Sequence, residues 1–179
     1  MPYRTDISLI TKNNLIKIAE LVNQRNSLMK EVAECKVRLD LPIEDSAHEE
    51  WIFAYVKLTA ERLGLEPDSI IPFFQALIHC AKELQANYAG CLRCEIQSWG
   101  HARPSNIISI QLRGLRAIIS HISSKILVCI VQQLVIYPIN STFRMTFTER
   151  LDLDGLDNTI RQALFNGLMQ AKLARALDA

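Results

Sequence analysis

The chain has 179 residues, of which 49% are hydrophobic, so it is long and apolar enough to bury a core as one domain. Its 20 Lys and Arg nearly balance 19 Asp and Glu, which excludes the basic excess typical of nucleic-acid-binding proteins. Five cysteines are an odd number and cannot form a fully paired disulfide framework.

Helical spacing dominates the chain, and no segment alternates apolar and polar residues between hairpin turns. We therefore predict an all-α helical bundle, with residues 1–179 in a single domain. Five helices are expected, with Pro42 ending the first, Gly64 closing the second and a Ser46-x-x-Glu49 capping box opening it. They cover residues 11–39, 45–63, 67–99, 106–134 and 156–177.

Three stretches bear on export, on membrane insertion and on the all-helical prediction. The start, "MPYRTDISLITKNN", has no apolar signal region, which is expected of a cytoplasmic protein or of one whose export signal is absent from this sequence. The run "ILVCIVQQLVIYPI" (126–139) is too short and too polar for a membrane span and indicates a core helix. The segment "STFRMTF" (141–147) has the composition of a short strand but no evident partner.

The pair Cys91-x-x-Cys94 has the spacing of half a zinc site. Two more ligands would have to come from His79 and His101, which only an accident of folding would bring together. We therefore predict no metal and no other cofactor, and treat the cysteines as ordinary helical residues.

The first predicted helix carries a stripe of residues at alternating spacings of four and three, as in a helix face meant for burial. The stripe consists of Ile18, Val22, Arg25, Met29, Val32 and Lys36. Arg25 and Lys36 are eleven residues apart, close to three helical turns, so both leave the same face. Burying an unpaired cation costs several kcal/mol, roughly, and something must offset it. Either acids or solvent compensate these charges, or the two cations line a pocket for an anion with two carboxylates.

The stretch "LVNQRNSLMKEVAECKVRLDLPIEDSAHEE" resembles the all-helical (type II) chorismate mutase family. In that family an Arg is followed eleven residues later by a Lys, then by a loop with Pro and Asp. "FFQALIHCAKELQ" resembles the family segment that ends in a catalytic Gln or Glu. The match covers roughly residues 15–90 and is most similar to the exported subclass, whose chains each build a complete site and usually form dimers.

The resemblance implies that the protein is an isomerase which rearranges chorismate, a dianion, to prephenate in one pericyclic step of aromatic amino acid biosynthesis (the shikimate pathway). Such a site must hold the substrate in a compact shape and stabilise the charge that grows on its ether oxygen. Residues 10–99 would supply the catalytic helices, and 105–179 a C-terminal helical half that completes the site. The resemblance further implies a homodimer with no nucleic-acid or membrane partner, located in the periplasm or secreted, with the cytoplasm as the alternative.

Position by position, the resemblance implies catalytic roles for Arg25, Lys36 and Gln85. Arg25 would bind a carboxylate, Lys36 the ether oxygen and a carboxylate, and Gln85 the ether oxygen. The implied substrate-binding residues are Asp45, His48, Glu49, Ala81 and Arg116, with Arg113 as a second choice to Arg116.

Two of these positions depart from the family pattern. His48 stands where the family usually has Arg, and it is shorter and only partly charged at neutral pH. Ala81 stands where a small hydroxyl residue often touches a substrate carboxylate, which forfeits about 1 kcal/mol. An active but impaired mutase is expected. The alternatives are an isochorismate-pyruvate lyase, which uses the same kind of cationic pocket, and a non-catalytic helical carboxylate-binding protein.

Overall fold

A computed structural model describes residues 3–98, 105–153 and 155–174. Within these ranges the chain is helical and contains no strand, which confirms the predicted all-α class. The helices are α1 (Tyr3–Ser27), α2 (Met29–Arg38), α3 (Ser46–Arg62), α4 (Ile71–Ser98), α5 (Ser105–Ile136), α6 (Arg144–Thr148) and α7 (Asn158–Met169). Short 3₁₀ helices precede α4 (Pro67–Ile70) and α6 (Ser141–Phe143).

The long first helix is interrupted once, which the spacing did not predict. Leu28 donates its amide to the carbonyl of Arg25 rather than to a residue four positions earlier, and this separates α1 from α2. Leu28 keeps helical dihedral angles, so the chain continues in nearly the same course. Arg25 and Lys36 consequently still face one common space.

The start of α3 is capped by Asp45, whose carboxylate accepts the amide of His48 at 3.0 Å. The predicted capping box at Ser46 and Glu49 is therefore wrong, and Glu49 is directed to a neighbouring helix instead. Gly64 closes the helix with a φ of +79°, a conformation that favours glycine.

Segment 141–147 is helical despite its strand-like composition, in agreement with the all-α prediction, because the side chain of Asn140 accepts the amide of Thr142 and starts a turn. One prediction for the C-terminal half is wrong. The last helix ends at Met169, short of 177, because the backbone beyond it bonds to another loop. There the carbonyl of Lys172 accepts from Glu66, and the amide of Ala174 donates to Gly64.

The core joins residues from both halves of the sequence, from Leu15 in α1 to Leu168 in α7. Gln133 links α5 to α1, since its buried amide donates to Thr11 and accepts from Asn14. The whole of α5 is long and apolar enough to cross a membrane, a property that the core helices of other proteins share. Here one face of α5 is buried against α1 and α2.

Candidate active site

One cavity lies among α2, α3, α4 and α5, at the end of α1. It contains about 510 Å³ of space free of atoms, counting its open mouth. All eight residues that the sequence analysis proposed for a site line it. They are Arg25, Lys36, Asp45, His48, Glu49, Ala81, Gln85 and Arg116. The wall between them is apolar and includes Val32, Ile52 and Ile78.

Arg25, in the last turn of α1, has a side chain without charge compensation. The residue is 3% exposed, and its Nη1 donates to the carbonyl of Leu77 at 3.4 Å, while its Nε has no partner within the described ranges. Burial lowers the pKa of the guanidinium to about 10, against a smaller opposing effect of the Cys80 thiol. Burying this charge lowers the stability of the fold, and a buried cation without an acid partner can bind an anion strongly.

Lys36, three turns further along, is in a similar position. It is 5% exposed, and its Nζ donates to the carbonyl of Ile43 at 2.7 Å, in the loop between α2 and α3. Burial, followed by the positive charge of Arg116, lowers the pKa of the ammonium, while Asp45 and Glu49 partly oppose this. Among the described residues, neither Arg25 nor Lys36 has a carboxylate within ion-pair distance.

Gln85 on α4 completes this wall of the cavity. Its Nε2 lies 3.4 Å from the sulfur of Met29, a weak acceptor, and its buried Oε1 has no partner. The amide is therefore held in place by packing while its donor remains available to a better acceptor.

Two further cations that line the cavity, Arg116 and Lys82, do have acid partners. Arg116 on α5 donates to Asp45 at 2.9 Å, so the residue that caps α3 also holds the arginine in the cavity. The backbone bond from His48, followed by the contact with Arg116, keeps the pKa of Asp45 below its usual value despite partial burial. On α4, Lys82 lies 3.2 Å from Glu49.

His48, on α3, lines both the cavity and the open groove beside it. Its ring stacks on Trp51 at 5.8 Å between centroids, nearly parallel to it. Burial, followed by the charge of Arg116, lowers the pKa of His48 from its usual value near 6.5, which favours the neutral ring. The α3 side of the cavity therefore contributes no permanent cation of its own.

The structure separates the two arginine candidates of α5. Arg113 does not line the cavity and instead borders an open groove beside it, together with Trp51 and Tyr55. Lys82 also lines the cavity and was not predicted from the sequence, although its position one turn before Gln85 places it on the cavity side of the helix. Of the possible metal ligands, His79 and Cys91 are exposed, and His101 lies outside the described residues. Within the described part of the chain, no group of three or more potential ligands forms.

Comparisons with known proteins point to one family. The family model described as "Chorismate mutase type II" matches residues 16–86. A secreted chorismate mutase of Yersinia pestis is 32% identical over 87% of this chain and 80% of its own. A monofunctional chorismate mutase of Enterobacter agglomerans is 26% identical over 89% of this chain and 84% of its own. The crystal structure of the Yersinia pestis protein superposes with a TM-score of 0.70, covering 88% of this chain and 97% of that one, at 31% identity.

Proposed function

The chain belongs to the chorismate mutase family, and we propose that its cavity rearranges chorismate to prephenate. The family assignment confirms the resemblance in residues 15–90 and extends it into the C-terminal half. The protein is accordingly an isomerase.

One observation carries the proposal for the site: among the described residues, two of the four Lys and Arg side chains that line the cavity have no acid partner. Arg116 and Lys82 are compensated by Asp45 and Glu49, whereas Arg25 and Lys36 are not. Chorismate brings two carboxylates, which matches the number of uncompensated charges. The bound complex would then be close to neutral inside a partly closed cavity, where ionic contacts are strong.

The same residues can lower the barrier of a pericyclic reaction, which needs no nucleophile and no proton transfer. The reacting carbons must be held close together, and carboxylates fixed at both ends by cations favour that shape. As the ether bond breaks, negative charge grows on its oxygen. Lys36 Nζ and Gln85 Nε2, held by one carbonyl and one weak sulfur acceptor, are available to donate to it.

The assembly and location of the protein are part of the same proposal. All eight proposed residues come from one chain, so a site needs no partner subunit. We propose a homodimer that uses the apolar surface where α1 begins and α5 ends, with Ile7 and Tyr137 exposed side by side. Sedimentation of the protein with Ile7→Glu as the disrupting variant tests this. Export is proposed because the Yersinia pestis relative is named as secreted, and cell fractionation of the native host tests it.

The experiment for the function measures the loss of chorismate with purified protein and identifies the product. Lys36→Met should lower kcat by about 10²–10³, the usual effect of losing one donor to a developing charge. Lys57→Met, on the exposed side of α3, is the matched control and should leave kcat unchanged. Salicylate and pyruvate formed from isochorismate would indicate the lyase instead. Chorismate that binds without turning over would indicate a carboxylate-binding protein.

A further inference from the structure

Lys82 lines the cavity, and its ion pair with Glu49 does not account for that position. It lies between Ala81 and Gln85 on the face of α4 that borders the cavity. Its side chain is 29% exposed, which leaves the ammonium near the mouth of the cavity and accessible to a ligand. Its two distances to Glu49, 3.2 and 3.5 Å, are longer than those of a well-formed charged hydrogen bond.

Two residues that line the cavity, His48 on α3 and Ala81 on α4, offer a substrate carboxylate no strong donor. The ring of His48 stacks on Trp51, and burial lowers its pKa, which favours the neutral form and weakens any ionic contact with a carboxylate. Ala81 likewise offers a methyl group instead of a donor. Lys82 is adjacent to Ala81 in sequence and contacts Glu49, the neighbour of His48 on α3. A charge at this position is therefore within reach of the region that His48 and Ala81 leave without a donor.

We propose that Lys82 is a substrate-binding residue that contacts one carboxylate of chorismate and replaces the cation missing at position 48. This inference rests on the proposed function of the cavity. An ammonium has three donor hydrogens, so Lys82 can keep Glu49 and bind the ligand at once. Glu49 then acts as an anchor that holds the ammonium at the wall.

The competing explanation is that the pair only ties α3 to α4. Lys57 and Asp68 provide a matched comparison, since they form an ion pair of 2.7 Å between α3 and the 3₁₀ helix before α4, away from the cavity. A tie between helices would change the stability of the protein and leave its affinity for substrate intact. A substrate contact would do the reverse.

The test compares Lys82→Met, Lys82→Arg and Lys57→Met with the unmodified protein. Lys82→Met should raise KM about tenfold to a hundredfold, as expected for a lost charged hydrogen bond, with kcat nearly unchanged. Lys82→Arg should recover most of the loss, and Lys57→Met should alter neither constant. An unchanged KM in Lys82→Met, or a loss that arginine does not recover, would overturn the proposal.

Two monomethyl esters of chorismate identify the contact. The KM penalty of Lys82→Met should vanish for the ester that lacks the contacted carboxylate and persist for the other; equal penalties for both would refute a direct contact. Calorimetric titration with chorismate separates this inference from the proposed function. If the unmodified protein binds chorismate without converting it, the proposed function fails, and weaker binding by Lys82→Met still supports the contact. If chorismate does not bind at all, both proposals fail.

Discussion

Replacing Arg25 with methionine should stabilise the ligand-free protein while removing its ability to hold substrate. Burial lowers the pKa of Arg25 well below its ordinary value, to about 10. The folded state therefore disfavours the charged form, whereas the unfolded chain is charged at every pH below 12. At neutral pH this difference destabilises the fold by about 3 kcal/mol, at about 1.4 kcal/mol for each pKa unit.

Methionine removes that penalty and keeps an unbranched apolar side chain in the same space. It forfeits the long hydrogen bond to Leu77, worth at most about 1 kcal/mol. The net gain in the free energy of unfolding is about 2 kcal/mol, which raises Tm by about 4–8 °C for a chain of this size. Arg25→Lys retains the buried charge and should show no comparable gain.

Denaturation with and without chorismate is the assay. A ligand at one hundred times its Kd stabilises a protein by about 2.7 kcal/mol, so the unmodified protein should gain this amount and Arg25→Met should gain nothing at the same concentration. Arg62→Met, on an exposed arginine in the last turn of α3, serves as the control and should stay within about 0.5 kcal/mol. If Arg25→Met were less stable than the unmodified protein without ligand, Arg25 would be a structural cation and the reasoning would be refuted.

Three further changes, one of them with a control variant, test other features of the molecule. Burial and the charge of Arg116 lower the pKa of His48, so the ring should become protonated only below about pH 6.5. Because the protonated ring attracts the dianion, kcat/KM should rise as the pH falls through this range. His48→Gln should abolish the rise, and an identical pH profile in the variant would contradict this prediction. Ala81→Ser should raise kcat/KM about fivefold by adding a donor worth about 1 kcal/mol, whereas a decrease would place the carboxylate elsewhere. Gly167→Ala should destabilise the fold by about 1–3 kcal/mol, because its new Cβ would lie 2.5 Å from the backbone nitrogen of Phe73. Gly90→Ala, which meets nothing within 4 Å, should be neutral or stabilising by up to about 1 kcal/mol in the same unfolding measurement.

The parts of the fold that depend on local physics were predictable from the sequence. Helical periodicity identified α3, α4 and α5, and Gly64 marked the end of α3. The common face of Arg25 and Lys36 was also predictable, because eleven residues are close to three turns whether or not the helix is interrupted at Leu28.

The remaining features depend on contacts between distant segments. Nothing near Met169 announces the end of α7, which is set by bonds to a loop about one hundred residues earlier in the chain. The choice between Arg113 and Arg116 depends on the rotation of α5 against α3, and the sequence contains no measure of that angle. The same is true of Glu49, whose spacing is that of a capping residue but whose partner is Lys82 on another helix.

The division between paired and unpaired cations explains why the cavity persists without its ligand. If all four cations lacked acids, the cost of burying them would approach the whole stability of a domain, roughly 5–15 kcal/mol. If all four were paired, the cavity would have no excess charge with which to bind a dianion. Asp45 and Glu49 hold Arg116 and Lys82 near the mouth, where solvent shares the cost, while Arg25 and Lys36 stay uncompensated in the interior. Burying the uncompensated charge of Arg25 lowers the free energy of unfolding of the ligand-free protein, and a bound carboxylate restores that loss. Variants of Arg25 should therefore change the stability of the ligand-free protein and its affinity for chorismate together, in opposite directions.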